Sequence, residues 1–139
     1  MNSQTKSITV SISTKESLDK VWNYFTQPEH IVHWNHASED WYCPKATNDL
    51  KVGGHFVYTM ASKDGKMSFD FTGIYSEIVP LKRFVYNIED GRKVTVTFDF
   101  LDGNVILTEN FNPENQNPIE MQRGGWQSIL DTFKKYLEQ

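Results

Sequence analysis

Glu109 is the residue in this sequence best placed to do chemistry. It stands in the run Val105-Ile106-Leu107-Thr108-Glu109-Asn110-Phe111, whose period of two puts it on one face with Val105, Leu107 and Phe111. A carboxylate turned toward an apolar interior is costly unless it is paired or neutralised. Such a group serves as a general acid or base, or as the anchor for a polar ligand atom. The structural alternative is a bulge or strand end that lets it reach solvent, or an arginine that pairs with it. Tyr58 and Tyr86 also alternate inward, and a buried phenol needs a partner or orients a polar atom of a ligand.

His30, His33 and His36 recur every three residues, with Cys43 downstream. A metal site needs three or four convergent ligands. Pro28 leaves room for barely two helical turns before Asn35, so only the first two histidines share a face. Solvated surface histidines are therefore the expectation, and no metal. Cys43 lies between Tyr42 and Pro44, just after Glu39 and Asp40. Acidic neighbours raise a thiol pKa, which argues against a nucleophile. The chain has no nucleophile elbow, Walker loop, dinucleotide fingerprint or zinc motif, and no cofactor is implied.

Elements with two different periods must position these groups. Residues 7–13 alternate as a half-buried strand, with Ile8, Val10 and Ile12 on one side. Leu18, Val21, Trp22 and Phe25 follow at helical spacing behind a capping Ser17. Pro28 ends that helix and starts a second, short one carrying Ile31 and Trp34. Residues 35–50 read as an irregular loop interrupted by Pro44, with at most one short edge strand. Trp41 and Tyr42 in it either form a lid or pin the loop. From Gly53-Gly54 onward, alternation returns in segments separated by Asp64-Gly65, Asp90-Gly91 and Asp102-Gly103, which predict an antiparallel meander. Phe56, Tyr58, Phe69, Phe71, Tyr86, Val94, Val96, Phe98 and Phe100 fall on its alternating faces. Asn117 is placed to cap a final helix, with Pro118 at its first position and Glu120 three residues after the cap. Trp126, Ile129, Leu130, Phe133 and Leu137 form its apolar stripe; Gln127, Asp131, Lys134, Lys135 and Glu138 fall opposite. Gly124-Gly125 interrupts the helix, either as a bend at a cavity mouth or as a close-packing point against Trp34 or the first helix. The class is α+β: a curled antiparallel sheet of six to seven strands, a long C-terminal helix, and two short helices after the first strand.

The chain has 139 residues, 14% of them aromatic, which predicts one domain over 1–139 with a substantial core. A formal charge of -4, with no Lys/Arg run beyond pairs such as Arg92-Lys93, argues against nucleic acid or an anionic membrane surface as partner. The single cysteine fits a reducing compartment. The opening M-N-S-Q-T-K-S lacks the apolar core of a signal peptide, and no run approaches the ~20 apolar residues of a span. The expectation is a cytoplasmic protein.

Several motifs together resemble the helix-grip, START/Bet v 1-like superfamily, which includes lipid-transfer domains, the pollen allergen Bet v 1 and polyketide cyclases. The matching residues are Val21-Trp22, Pro28-Glu29-His30 leading to Trp34, and the run from Asp49 through Gly53-Gly54 to Phe56. Gly73-Ile74-Tyr75-Ser76-Glu77-Ile78 with Pro80, and Gly125-Trp126 with Leu130 and Tyr136-Leu137, complete the match. Nearly the whole chain is covered, and the branch it most resembles is that of the activator of heat-shock protein 90 ATPase. Ser17 stands where that branch commonly has proline, a minor change at a helix start. The resemblance implies a cavity between sheet and long helix. It implies little about activity, because members bind lipids, hormones or polyketides and some catalyse.

The first expectation is a binder of a small apolar or aromatic molecule. Trp34, Trp41, Phe56, Tyr58, Phe69, Phe71, Tyr86, Met121 and Trp126 would line or gate the cavity, with Glu109 as polar contact. The structural alternative is that these rings simply fill a core. The second expectation is a cyclase- or hydrolase-like enzyme using Glu109 as acid or base. The third is a co-chaperone-like protein-binding module, which ranks last because the outward residues Thr9, Ser11, Asp70, Thr72, Thr95, Thr97 and Asp99 are polar. Oligomeric state is not legible.

Overall fold

Alternating apolar residues and Asp-Gly turns produce seven strands, which pair into one antiparallel sheet in the computed structural model, where residues 7–139 are described. The first six residues, whose lack of a signal-peptide core was noted above, lie outside the described residues. The strands are β1 (Ile8–Thr14), β2 (Trp41–Asn48), β3 (His55–Ser62), β4 (Ser68–Val79), β5 (Arg83–Ile88), β6 (Lys93–Leu101) and β7 (Asn104–Phe111). Helices α1 (Leu18–Thr26) and α2 (Pro28–Trp34) follow β1, and α3 (Ile119–Leu137) ends the chain. The order β1-β7-β6-β5-β4-β3-β2 makes β2 to β7 a meander, with β1 added beside β7. Right-handed twist over seven strands curls the sheet, and the helices occupy its concave side. No helix among the described residues is long and apolar enough to cross a membrane.

The Asp-Gly turns explain the register. Leu101 pairs with Asn104 across Asp102 and Gly103, which have φ of 53° and 80°. Two successive positive φ values define the type I′ hairpin that Asp-Gly favours. That turn sets the alternation of β7, with Val105, Leu107, Glu109 and Phe111 buried in step.

The core gathers around the last two turns of α3. Leu130, Phe133 and Leu137 are fully buried, each contributing about 1.5–3 kcal/mol by the usual area relation. Phe133 meets Phe25 and Trp34 edge-on, with centroids 5.1 and 5.0 Å away, while Phe25 and Trp34 stack at 4.8 Å. Ser17 Oγ accepts from the backbone N–H of Lys20 at 3.2 Å, the cap expected for α1. The polar flank of α3 also has structural work. Gln127 Nε2 donates to the carbonyl of Ser11 at 2.9 Å, and Ser11 N–H donates back to Gln127 Oε1 at 3.3 Å. Lys134 Nζ donates to the carbonyl of Ser13 at 2.9 Å. These bonds occupy backbone groups of β1, a sheet edge that would otherwise offer itself to another strand.

Two expectations, the loop over residues 35–50 and the cap at Asn117, need correction. Residues 35–50 are not mainly loop: β2 takes up eight of them, from Trp41 to Asn48. The register shift between Tyr42 and Lys45 admits Pro44, which cannot donate to a ladder and is tolerated at an edge bulge. Trp41 and Tyr42 thus belong to a strand, not a loop. Asn117 does not cap α3; the helix starts at Ile119, with Pro118 in the cap position and no side-chain bond there. Asn117 is drawn away by Glu114, whose Oε1 accepts from the backbone N–H groups of Gln116 and Asn117 at 3.1 and 2.7 Å. Phe100, on the inner alternation of β6, is 67% exposed because it lies past the core near the β6–β7 turn. Gly124 and Gly125 make no close packing: a Cβ added at either meets nothing within 4 Å.

Candidate functional site

The N-terminal half of α3 does not close onto the sheet. Between it and β3–β5 lies a cavity of about 820 Å³. Phe56 and Tyr58 from β3, Phe71 and Tyr75 from β4, and Phe84 and Tyr86 from β5 form its sheet wall. Phe25 and Trp34, from the packed ring cluster, bound it on the side of α1 and α2. Met121, Gln122, Gly125, Trp126 and Ile129 of α3 form the opposite side. Trp41, Met60, Met67 and Phe69 also line it, and Phe69 and Met121 are 51% and 65% exposed, which marks a rim open to water. Trp41 meets Phe69 edge-on at 5.9 Å across that rim.

All ten residues named from the sequence border this one cavity: Trp34, Trp41, Phe56, Tyr58, Phe69, Phe71, Tyr86, Glu109, Met121 and Trp126. Sequence reasoning left out Phe25, Tyr75, Phe84, Ile129 and Asn35, which line it too. Tyr75 was legible, since it continues the alternation of Phe69, Phe71 and Gly73. Asn35 was not, because its position depends on how the chain leaves α2. Its Nδ2 is buried with no hydrogen-bond partner among the described residues.

Gly73 makes the wall possible. Phe56 pairs with it across the β3–β4 ladder, and a Cβ at Gly73 would lie 2.4 Å from the Phe56 ring and 3.0 Å from that of Tyr86. The absence of a side chain lets both rings lie against the β4 backbone. On the opposite side, Trp126 stacks on Phe111 at 4.0 Å and meets Phe71 edge-on at 6.0 Å. It therefore spans from β7 to β4 across the cavity.

Glu109 sits in the middle of this apolar surround, 7% exposed, with Val10 of β1 and Val96 of β6 as its ladder partners. Burial pushes its carboxyl from an ordinary 4.5 up to about 8, and no hydrogen bond or opposite charge among the described residues offsets that. At neutral pH it is mainly the uncharged acid, able both to donate and to accept. Burial likewise raises the Tyr86 phenol, and the nearby Glu109 and then Tyr75 add to the rise. Tyr58 is raised by burial first, then by Tyr75 and Tyr86. Tyr75 Oη donates to Asn48 Oδ1 at 2.7 Å, and Asn48 Nδ2 donates to the carbonyl of Thr26 at 2.7 Å, which ties this wall to the end of α1. The site thus combines a ring-lined space with one buried acid and three phenols.

The histidines lie elsewhere and are not simply solvated. His30 Nδ1 is hydrogen-bonded to Tyr136 Oη at 2.7 Å, and its ring stacks on Tyr24 at 3.9 Å. His33 is exposed but stacks on Tyr136 at 5.4 Å. His36 is half-buried, and burial, then Lys63, lowers its pKa. Among the described residues no three His, Cys, Asp or Glu side chains converge as a metal set. Cys43 is buried, its Sγ donating to the carbonyl of Lys45 at 3.4 Å. Burial, rather than Glu39 or Asp40, raises its thiol pKa.

The sequence matches the protein family described as Activator of Hsp90 ATPase homolog 1-like protein over residues 15–138. Among solved structures, the solution structure of an AHSA1-like protein from Aeromonas hydrophila is 38% identical, with a TM-score of 0.85 over 94% of this chain and 92% of its own. A protein from Cytophaga hutchinsonii is 46% identical, with a TM-score of 0.83 over 94% of this chain and 91% of its own. A Chromobacterium violaceum protein shares the fold at 22% identity, with a TM-score of 0.83 over 96% of this chain and 99% of its own. No curated protein matches the sequence. With a sequence match along most of its length and a curved sheet holding a C-terminal helix, the chain belongs to the Activator of Hsp90 ATPase homolog 1-like family, a family of START/Bet v 1-like fold.

Proposed function

We propose that this protein is a cytoplasmic binder of a small apolar or aromatic molecule, held between β3–β5 and the N-terminal half of α3. The observation that carries the reading is the cavity of about 820 Å³, walled mainly by aromatic side chains around a single buried acid. Pockets that bury most of a small ligand fall in the range of about 300–1,000 Å³ and share this mix of rings and few polar groups. Glu109 is the polar contact, and Trp41, Phe69 and Met121 gate the rim. The test is native mass spectrometry of freshly purified protein, followed by tryptophan fluorescence against lipids and aromatic compounds. The expected result is a co-purifying mass, or quenching of Trp126 and Trp34 by a subset of the compounds. A bare mass and a flat response across the whole set would remove the proposal.

A second reading, a cyclase- or hydrolase-like enzyme, is favoured by one observation: burial brings Glu109 into the pH range where an acid both gives and takes a proton. It predicts turnover that rises or falls through about pH 8 and is lost in Glu109→Gln. A variant that retains turnover would exclude Glu109 as the acid or base. A chaperone-binding role, implied by the family name, ranks third, because the outward strand residues are mainly polar. Stoichiometric recovery of a chaperone in a pull-down would reverse that order.

A further inference from the structure

We propose that the ligand is an organic cation, an amine whose ammonium group sits against Glu109 while its apolar body fills the ring-lined space. This deepens the reading above and rests on it. The first argument is charge. Among the described residues, Glu109 is the only acidic one lining the cavity, and no Lys, Arg or His lines it. An anionic head group would be stripped of water there with no counter-charge to meet it. The second argument is geometry. Trp126 stacks on Phe111, two residues from Glu109 on the same face of β7, and Tyr86 lies close enough to feel the Glu109 charge. Aromatic faces carry negative potential, so rings around a carboxyl form a cage that favours a cation over an isosteric neutral group.

The proton balance follows. Without ligand, burial keeps Glu109 uncharged at neutral pH. Ionising a group of pKa about 8 at pH 7 costs a factor of about ten. An ammonium in contact offsets that readily where water is scarce. The protonated amine meets the protonated acid, the ion pair forms, and one proton leaves to solvent. The other titratable groups facing the space are the phenols of Tyr58, Tyr75 and Tyr86 from β3, β4 and β5. The neighbours of Glu109 on β1 and β6, Val10 and Val96, carry no charge. Neither do the lining residues of α1, α2 and α3. Of the described residues facing the space, only Glu109 can therefore supply the proton.

The experiment is isothermal titration calorimetry with three matched probes: 2-naphthylmethylamine, 2-naphthylmethanol and 2-naphthoic acid. The amine is expected to bind about tenfold or more tighter than the alcohol at pH 7, and the acid weakest. Comparison of two buffers with different ionisation heats should show release of about 0.9 proton per amine bound. Amine affinity should rise more than about tenfold from pH 6 to pH 8, while alcohol affinity stays flat. Glu109→Gln should erase both the preference of amine over alcohol and the proton release. If the alcohol binds and the amine does not exceed it, or binds without proton release, the cation assignment is overturned and the cavity reading stands. If none of the three binds, the cation assignment falls as well; a bare native mass would then remove the cavity reading with it.

Discussion

The two halves of α3 carry opposite tasks. In the C-terminal half, Leu130, Phe133 and Leu137 are fully buried, and Phe133 locks into the Phe25–Trp34 stack. In the N-terminal half, Met121 is mostly exposed, Gly125 and Trp126 are half-buried, and all three face open space. One continuous stripe of apolar residues thus closes a core at one end and roofs a cavity at the other. What differs is the opposing surface. β1, α1 and α2 pack on the helix, and Ile8, Val10, Leu107, Val21 and Ile31 are buried with its last turns in one core, whereas the rings of β3–β5 line the cavity opposite its first half. Periodicity reports which face of a helix is apolar; it does not report whether something meets that face.

The largest expected effect breaks the packed half. Phe133→Ala removes a ring that meets both Phe25 and Trp34 edge-on and should cost about 3–5 kcal/mol in urea-induced unfolding. A loss below about 1 kcal/mol would mean that this end of the helix is as loosely held as the other. An alanine at Met121, already exposed at the rim, should change stability by less than about 0.5 kcal/mol.

The next effect sharpens the contrast through pH. Glu109 has a folded pKa raised from an ordinary 4.5 to about 8. Below about pH 4 both folded and unfolded chains hold the proton, and the group contributes nothing. As pH rises through 4.5 the unfolded chain releases it while the folded chain keeps it, so stability falls steadily until about pH 8 and then levels off. Glu109→Gln removes that loss. It should match the parent near pH 4 and exceed it by on the order of 3–5 kcal/mol at pH 8 and above. Parallel stability-pH curves for the two proteins would show that Glu109 is already ionised, through water or a hidden partner.

Much of this was legible in the sequence, for reasons that differ by residue. The hairpins were readable because Asp102-Gly103 satisfies a local torsion requirement, which needs no tertiary context. Glu109 was readable because period-two alternation fixes its side in step with Leu107 and Phe111. Phe56, Tyr58, Phe69, Phe71, Tyr86, Glu109 and Trp126 were readable as inward positions, yet inwardness alone does not separate a filled core from a void. That depended on the curvature of β3–β5 and on the flat seating of Phe56 over Gly73, both long-range. The cap at Asn117 failed because Glu114, three residues earlier, holds Asn117 by its backbone N–H and its side-chain amide. The strand in residues 35–50 was hidden because Pro44 breaks the pattern, and only a bulge reconciles it with pairing. Gln127 and Lys134 read as solvent-facing because their partners on β1 are backbone atoms, which leave no mark in a side-chain pattern.

The smallest effect separates helix stability from cavity shape at adjacent positions. Gly124 and Gly125 both lie inside α3, and a Cβ at either meets nothing within 4 Å. Glycine within a helix costs about 1 kcal/mol relative to alanine, so Gly124→Ala and Gly125→Ala should each stabilise the protein by about that much, raising Tm by about 3 °C. Only Gly125 lines the cavity. Gly125→Leu should therefore keep most of the helix gain while its side chain occupies the space under Trp126, and ligand binding should fall by about tenfold or more. Gly124→Leu is its control, equally stabilised and with binding intact. If both leucine variants bind normally, the N-terminal half of α3 does not roof the site. If both lose binding, the glycine pair acts through helix flexibility, and the cavity wall is not what a side chain at Gly125 blocks.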